Sequence, residues 1–149
     1  MKDQCRVVVI GGGVVGASVI YHLAKFGWRD VCLLERSVLT AGSSWHAAGG
    51  IHALNADPNI AALQAYTIDL LQEIEAESGQ NIGLHMTGGL TMAGTEDRWE
   101  WLQAAYRVFQ SIGIDDCRLV TPEEARELNP IMSIDGFLGG MWADREGYL

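Results

Sequence analysis

Three glycines near the start of the chain are the first residues whose spacing can do chemistry. Gly11, Gly13 and Gly16 follow the apolar run CRVVVI and open a segment with helical periodicity. Gly11 permits a tight turn, Gly13 lets a pyrophosphate approach the backbone, and Gly16 lets the helix pack against the strand. The N–H groups of Val14 and Val15 then face the anion, together with the positive end of the helix dipole. This turn predicts a dinucleotide site.

An acidic residue follows at the spacing that such a turn requires. Glu35 lies 19 residues after Gly16, at the end of a second apolar run. There a carboxylate can accept hydrogen bonds from both hydroxyls of an adenosine ribose, and its charge repels the 2′-phosphate of NADP. The neighbouring Arg36 is interpreted either as a contact of the adenine or pyrophosphate or as a solvated charge. These residues alone leave FAD and NAD open.

A loop of small residues follows the second run, where a simple NAD-binding fold usually continues into another helix. Its sequence from residue 39 to residue 50 is LTAGSSWHAAGG. Small residues allow a ligand to approach closely, and the two serines can donate hydrogen bonds to phosphate oxygens. Its one imidazole is a good nucleophile near pH 7 when neutral. The loop residues predicted to contact a cofactor are Gly42, Ser43, Ser44, Trp45, His46, Ala47, Ala48 and Gly49.

These motifs resemble a known family. IGGGVVG, LLERS, LTAGSSWHAAGG and the terminal DREGYL together are similar to the dimethylglycine and sarcosine dehydrogenases, which are FAD enzymes of the glycine-oxidase or D-amino-acid-oxidase type. The resemblance covers essentially the whole chain. It implies oxidative demethylation of N-methylglycines such as dimethylglycine or sarcosine, with His46 joined covalently to the 8α-methyl group of FAD.

The resemblance also implies what this chain would lack. We expect it to be the N-terminal piece of a longer enzyme, because one βαβ unit is too little to complete a doubly wound sheet. The residues for the substrate carboxylate, and a folate-binding part that could use tetrahydrofolate, would lie beyond residue 149. No catalytic residue is predicted within the chain. The piece alone should expose apolar surface and hold FAD poorly. The exact amine, the electron acceptor and the oligomeric state stay open.

Composition excludes several other classes of protein. The chain has 149 residues, with 10 basic and 19 acidic side chains and a net charge of -9. Nucleic-acid binding and adsorption to an anionic membrane both require a cationic surface. The three cysteines form no CxxC pair, and no two histidines have metal-ligand spacing. We expect a cytoplasmic protein, or one of the mitochondrial matrix if a presequence has been removed.

The pattern predicts an α/β fold that begins as a Rossmann-type FAD-binding βαβ unit and continues into a mixed α+β substrate-side domain. The predicted division is 1–80 and 81–149. Apolar runs and caps predict the following elements: doubly buried strands at 5–10 and 31–34, helices at 14–26, 57–78, 96–112 and 121–129, a hairpin or two short strands around Gly88 and Gly89, and a strand at 136–142. The helix after Asp57 should bury the stripe Ile60, Leu63, Leu70, Leu71 and Ile74.

Some residues and functions remain with two interpretations. His22 is predicted on a helix face, and His52 and His85 either line the flavin ring or have structural partners. Trp99, Trp101, Tyr106 and Phe109 are predicted to be packing residues. The alternative functions are an NAD- or FAD-binding module of another oxidoreductase and a non-catalytic regulatory relative. The first would lack the histidine loop, and the second would not need His46.

Overall fold

A computed structural model of the chain describes residues 3–149, which form two compact units that divide between Ala48 and Gly49. The first unit contains strand β1 (Val7–Ile10), helix α1 (Val14–Lys25), strand β2 (Val31–Leu34) and a 3₁₀ helix (Ser43–His46). The second contains β3 (Gly50–Ile51), α2 (Pro58–Ser78), β4 (Gly89–Ala93), α3 (Glu96–Ser111), β5 (Cys117–Val120), α4 (Pro122–Leu128), β6 (Gly139–Ala143) and β7 (Gly147–Tyr148).

The first unit is the predicted βαβ arrangement. β1 pairs with β2 in parallel, and α1 connects them. Gly27 follows the helix with a φ of +85°, which suits a glycine after a helix end. The strands are not buried on both faces as predicted: only Val9 is buried, while Val8 and Ile10 are 47% and 85% exposed. Two strands and one helix cannot cover both faces of a sheet, so the apolar runs remain partly exposed in this unit.

The second unit is built on an antiparallel sheet with the strand order β4-β6-β5, and β3 pairs separately with β7. Helix α3 packs on this sheet and buries Leu102 and Phe109 completely. Trp99, Trp101 and Tyr106 pack against the same core. The predicted packing role of the α3 aromatic residues is therefore confirmed. No helix among residues 3–149 has the length and apolar character needed to cross a membrane.

Helix α2 has the predicted ends and buries only part of the predicted stripe. The Asp57 carboxylate accepts hydrogen bonds from two N–H groups of the first turn, and Gly79 ends the helix with a φ of +66°. The buried residues are Ala61, Ile68 and Leu70, whereas the predicted Ile60 and Leu63 are 44% and 60% exposed. Leu70 is buried as predicted, and the predicted Leu71 and Ile74 are half-buried.

The segment around Gly88 and Gly89 is not a hairpin. His85 pairs with Tyr148, and β4 pairs with β6. A Cβ atom on Gly88 would overlap the ring of Trp142, so this glycine serves close packing rather than a reversal of the chain. The α4 capping box and the strand near residue 140 are confirmed. Strands β3, β5 and β7 were not predicted.

Helix α2 belongs to the second unit, so the contacts divide the chain earlier than residue 80. The division predicted at residue 80 concerns function, namely cofactor side against substrate side. It stays a prediction.

Candidate functional site

The glycine turn has the geometry that its spacing requires. Gly11 follows β1 with a φ of +108°, and its N–H donates to the carbonyl of Leu34 at 2.8 Å. A Cβ atom on Gly16 would overlap the Gly11 carbonyl oxygen, so only glycine allows α1 to start this close to the strand. Both backbone constraints fall at the carboxyl ends of two parallel strands, where open α/β sheets bind their ligands.

A serine from the loop completes the start of α1. Gly13 precedes the helix without a side-chain cap, and the Val14 N–H instead donates to the Ser44 hydroxyl at 2.8 Å. The hydroxyl keeps its own hydrogen, which can donate to an anion. The Val14 N–H, which was predicted to face the anion, is therefore engaged by Ser44, and the contact between Ser44 and a phosphate stays a prediction. Ser43 and Val15 are exposed beside it.

Glu35 is held against the glycine turn by two backbone hydrogen bonds. Gly12 N–H donates to its Oε2 at 2.7 Å, and Ser37 N–H donates to its Oε1 at 2.9 Å. These two bonds, the first from Gly12, lower the pKa of Glu35, so the carboxylate is charged at neutral pH. Each oxygen retains acceptor capacity, as a pair of ribose hydroxyls would need. The charge also disfavours a bound 2′-phosphate.

His46 is the last residue of the 3₁₀ helix, and its ring is anchored on one side. Its Nδ1 lies 3.0 Å from the carbonyl oxygen of Gly42. A carbonyl oxygen only accepts hydrogen bonds, so Nδ1 carries the hydrogen. In the neutral ring the Nε2 atom then holds the free lone pair. The side chain is exposed, which leaves Nε2 accessible.

The remaining predicted residues are placed less specifically. Arg36, Trp45, Ala47 and Ala48 are exposed. Gly49 belongs to the second unit, where its carbonyl accepts from the Leu149 N–H at 2.9 Å. All other predicted cofactor residues lie in the first unit.

Two residues that the spacing argument did not single out hold this site together. Gly12 donates to Glu35, and its carbonyl accepts from the Thr40 N–H at 2.9 Å. A Cβ atom on Gly12 would lie 2.7 Å from the side chain of Leu39. Thr40 has a φ of +67°, which is unusual for a β-branched residue and marks local strain in the loop. The sequence GGG could have indicated a structural role for its middle residue, Gly12. No sequence pattern indicated the role of Thr40.

Of the other histidines, His22 lies in the first unit, and His52 and His85 lie in the second. His22 lies on α1, as predicted, and its Nδ1 lies 2.7 Å from the Ser18 carbonyl. His85 packs its ring on Tyr148, with the ring centres 4.9 Å apart. His52 lines a cavity in the second unit.

A parallel strand pair with a glycine turn, a strand-end carboxylate and a helix start that offers donors defines a dinucleotide-binding class of protein. Residues 6–149 match the family described as FAD dependent oxidoreductase, so the chain belongs to that family. The α/β fold class predicted from the sequence is confirmed. The residues at the turn fit FAD, because Gly11 and Gly16 give the backbone approach, and Ser44 and Glu35 supply a donor and an acceptor.

The chain is also similar in sequence to individual proteins of known function. The chain is 38% identical to dimethylglycine dehydrogenase, mitochondrial, of Rattus norvegicus, over 99% of this chain and 17% of that protein. It is 34% identical to sarcosine dehydrogenase, mitochondrial, of Homo sapiens, over 99% and 16%. It is 32% identical to the pyruvate dehydrogenase phosphatase regulatory subunit, mitochondrial, of Mus musculus, over 98% and 16%. The predicted similarity to dimethylglycine and sarcosine dehydrogenases is therefore confirmed, and the chain spans about a sixth of these relatives.

Among solved structures, the chain is similar to the crystal structure of L-proline dehydrogenase from P. horikoshii. The sequence identity is 25%, the TM-score is 0.89, and the match covers 99% of this chain and 38% of that one.

Proposed function

We propose that this chain supplies the FAD-binding part of an amine oxidoreductase acting on N-methylated glycines, and that His46 holds the flavin covalently. Bound FAD would supply the acceptor for a hydride equivalent from the N-methyl group. The observation that carries the proposal is the His46 ring: its Nδ1–H is fixed on the Gly42 carbonyl at 3.0 Å, and its Nε2 is accessible.

The roles of the chain's own groups follow from the geometry of the first unit. The turn at Gly11 and Gly13 gives the pyrophosphate access to backbone N–H groups. The Ser44 hydroxyl, which accepts from Val14, donates its hydrogen outward to a phosphate oxygen. The Glu35 carboxylate, held by Gly12 and Ser37, accepts from the ribose hydroxyls.

The fixed tautomer makes Nε2 of His46 the attacking atom. His46 would hold the flavin through a bond from Nε2 to the 8α-methyl carbon, and bound FAD would supply that electrophilic carbon. The linkage would be a two-electron oxidation, with dioxygen as the acceptor of the two electrons and two protons. The Gly42 carbonyl oxygen accepts a hydrogen bond from Nδ1–H and so holds the ring with Nε2 free before the linkage forms.

The linkage is tested on the full-length protein, purified with its flavin. Acid denaturation should leave the protein yellow, and the flavin-bearing peptide should contain His46. His46→Ala should make the flavin dissociable while the glycine turn still binds FAD, and it should slow amine oxidation. The matched control is His22→Ala, which removes another imidazole of the same unit and should keep the flavin attached.

Release of all the flavin from the wild-type protein by acid would refute the covalent assignment. The FAD site would survive that result, because it depends on Gly11, Gly16 and Glu35. A change of Glu35→Ala that leaves FAD affinity unaltered would instead contradict the proposed site itself.

The substrate assignment derives from relatives named as dehydrogenases of dimethylglycine and sarcosine. A second candidate is a regulatory role, favoured by the relative named as a phosphatase regulatory subunit. Anaerobic bleaching of the flavin by dimethylglycine or sarcosine, with formaldehyde as product, would support the oxidoreductase. Flavin that stays oxidised with every N-methylated glycine would favour the regulatory role.

The compartment is also a proposal. Several relatives are named as mitochondrial proteins. We propose the mitochondrial matrix for a protein that carries a presequence, and the cytoplasm otherwise. Fractionation of the source cells with compartment markers tests the assignment.

A further inference from the structure

The second unit contains a cavity of about 380 Å³, and none of its lining residues is among those predicted to bind the cofactor. Strand β3, strand β4 and the start of helix α3 contribute to its walls, and all of its lining residues lie in the second unit. Its volume is within the usual range for small-molecule sites. Arg98, Trp101, His52 and Glu146 bring charged, polar or aromatic groups to the lining, and the other lining residues are glycines, aliphatic residues and Thr91.

Arg98 is held at both ends. Its backbone N–H donates to the Thr95 hydroxyl at 3.3 Å, and its guanidinium carbon lies 4.1 Å from the centre of the Trp101 ring. An arginine stacked flat on an aromatic ring keeps the edges of its planar fork for hydrogen bonding. Less conformational entropy is then lost when those edges bind an anion.

No carboxylate in residues 3–149 forms an ion pair with Arg98. The contrast is Arg145, which pairs with both Asp69 and Asp116 in the same unit. The unit has sixteen acidic residues against five arginines, so an unpaired guanidinium at a cavity is a site for an anion from outside the chain. A carboxylate matches the guanidinium fork in shape and charge.

Glu146 gives the cavity a carboxyl group as well. It is the one buried charged residue of the described chain, at 7% exposure, and its Oε1 accepts from the Ala53 N–H at 3.0 Å. Gly89 makes room for it, since a Cβ atom there would overlap Oε2. The chain therefore builds space for this carboxyl group. His52, whose positive form would interact favourably with Glu146, lines the same cavity.

We propose that this cavity binds a small amino acid as a zwitterion, with its carboxylate on the Arg98 guanidinium and its ammonium group on the side of Glu146. The choice of ligand rests on the proposed function, because N-methylglycines are such zwitterions. The location of the site is argued separately, from residues of the second unit. The family resemblance places substrate-carboxylate residues beyond residue 149, and Arg98 would be a carboxylate contact within the chain.

Three probes that differ by one charged group each test the site: glycine, acetate and methylammonium. Each is titrated at constant ionic strength into the full chain, with the ¹⁵N signal of the Trp101 indole N–H group as the readout, because Trp101 lines the cavity and is kept in every variant. Glycine should bind more tightly than either other probe. Arg98→Met should weaken glycine binding about tenfold or more, and Arg98→Lys should weaken it less.

Arg107→Met is the matched control, because it removes an exposed arginine of the same helix that does not line the cavity. It should leave glycine affinity within about twofold. Glu146→Gln keeps the shape of the side chain and should abolish the advantage of glycine over acetate. The circular dichroism spectrum of each variant is measured as well, and an unchanged spectrum shows that the variant keeps its fold.

Equal affinity for glycine in the wild type and in Arg98→Met would overturn the inference, as would acetate binding as tightly as glycine to the wild type. These outcomes are separate from those of the flavin experiments. Loss of covalent flavin in His46→Ala with unchanged glycine titration would leave this site standing, and the reverse result would leave the FAD site standing.

Discussion

The two units differ in how they use charge and apolar surface. Residues 1–48 carry five basic and three acidic side chains, whereas residues 49–149 carry five basic and sixteen acidic ones. The first unit buries one large apolar side chain, Val9, among its described residues. The second encloses Leu102 and Phe109 completely. The second unit therefore depends on its own core, while the first leaves many of its large apolar side chains exposed.

The difference is clearest in two glutamates. Glu35 of the first unit accepts two backbone hydrogen bonds at an open position, and they lower its pKa. Glu146 of the second unit accepts a backbone bond too, yet its burial raises its pKa. The same side chain is thus kept charged where a nucleotide is expected, and is costly to charge where the chain is packed. Hydrogen bonding dominates in one unit and desolvation in the other.

The largest effect should come from removing core volume. Phe109→Ala should destabilise the second unit by about 3–5 kcal/mol, whereas Val9→Ala should destabilise the first by about 1.5 kcal/mol. Hydrogen exchange followed by mass spectrometry reports on peptides from each unit separately. Equal effects of the two changes would mean that the two units do not differ in core stabilisation as we describe.

A backbone clash in the first unit should have the next largest effect. Gly16→Ala would place a Cβ atom on the Gly11 carbonyl oxygen, and we expect about 1–3 kcal/mol of destabilisation with loss of FAD affinity. Gly94→Ala is the control, because the nearest atom to its Cβ position lies 3.8 Å away and the residue is outside the proposed FAD site. Urea unfolding and flavin titration measure the two consequences. An unaffected FAD affinity in Gly16→Ala would show that this approach of helix to strand is not needed.

The pH dependence of stability should have opposite signs for the two glutamates. Because the native state holds the Glu146 proton more tightly than the unfolded state, this residue makes stability fall as pH rises through its raised pKa. Glu35 contributes stability above the ordinary glutamate pKa, and that contribution is lost as pH falls through its lowered pKa.

Urea unfolding between about pH 3 and 7, of the wild type and of each glutamine variant, measures both effects. The difference between wild type and Glu146→Gln should fall with rising pH, and that between wild type and Glu35→Gln should rise. Two differences of the same sign would contradict the contrast between the glutamates.

The smallest effect concerns thiol reactivity. Burial raises the pKa of Cys117 to about 11, whereas Cys5 and Cys32 are half-buried in the first unit. Only about one Cys117 side chain in a thousand is then a thiolate at pH 8. Iodoacetamide should label Cys117 last, as peptide mapping over time would show. Early labelling of Cys117 would mean that the second unit opens more readily than its packing indicates.

Helix boundaries that are set by capping residues nearby in the sequence were predicted correctly. The Asp57 cap, Gly79 and the Thr121 capping box each fix a helix boundary within a few residues of sequence, and all three appear as expected. The glycine turn and Glu35 were predicted for the same reason, since their spacing reflects one βαβ unit.

Long-range packing was harder to predict. The buried face of α2 and the pairing of His85 with Tyr148 depend on which partners lie opposite, and periodicity holds no information about those partners. The hydrogen bond from Val14 to Ser44 spans thirty residues and depends on the path of a loop. Glu146 was missed for a similar reason, because a single acidic residue near a turn gives no sign that it is buried.

The hydrogen bond between Val14 and Ser44 has a consequence for how the site distinguishes its ligands. A bare amide is a fixed donor, whereas a hydroxyl that already accepts from that amide can rotate its single hydrogen toward a visitor or away from it. Ser44→Ala would return the amide to water, and Ser44→Asp would fill the same place with a permanent negative charge. In the wild-type protein, the donor that the start of α1 offers to an anion is therefore the rotatable Ser44 hydroxyl hydrogen rather than the Val14 amide hydrogen.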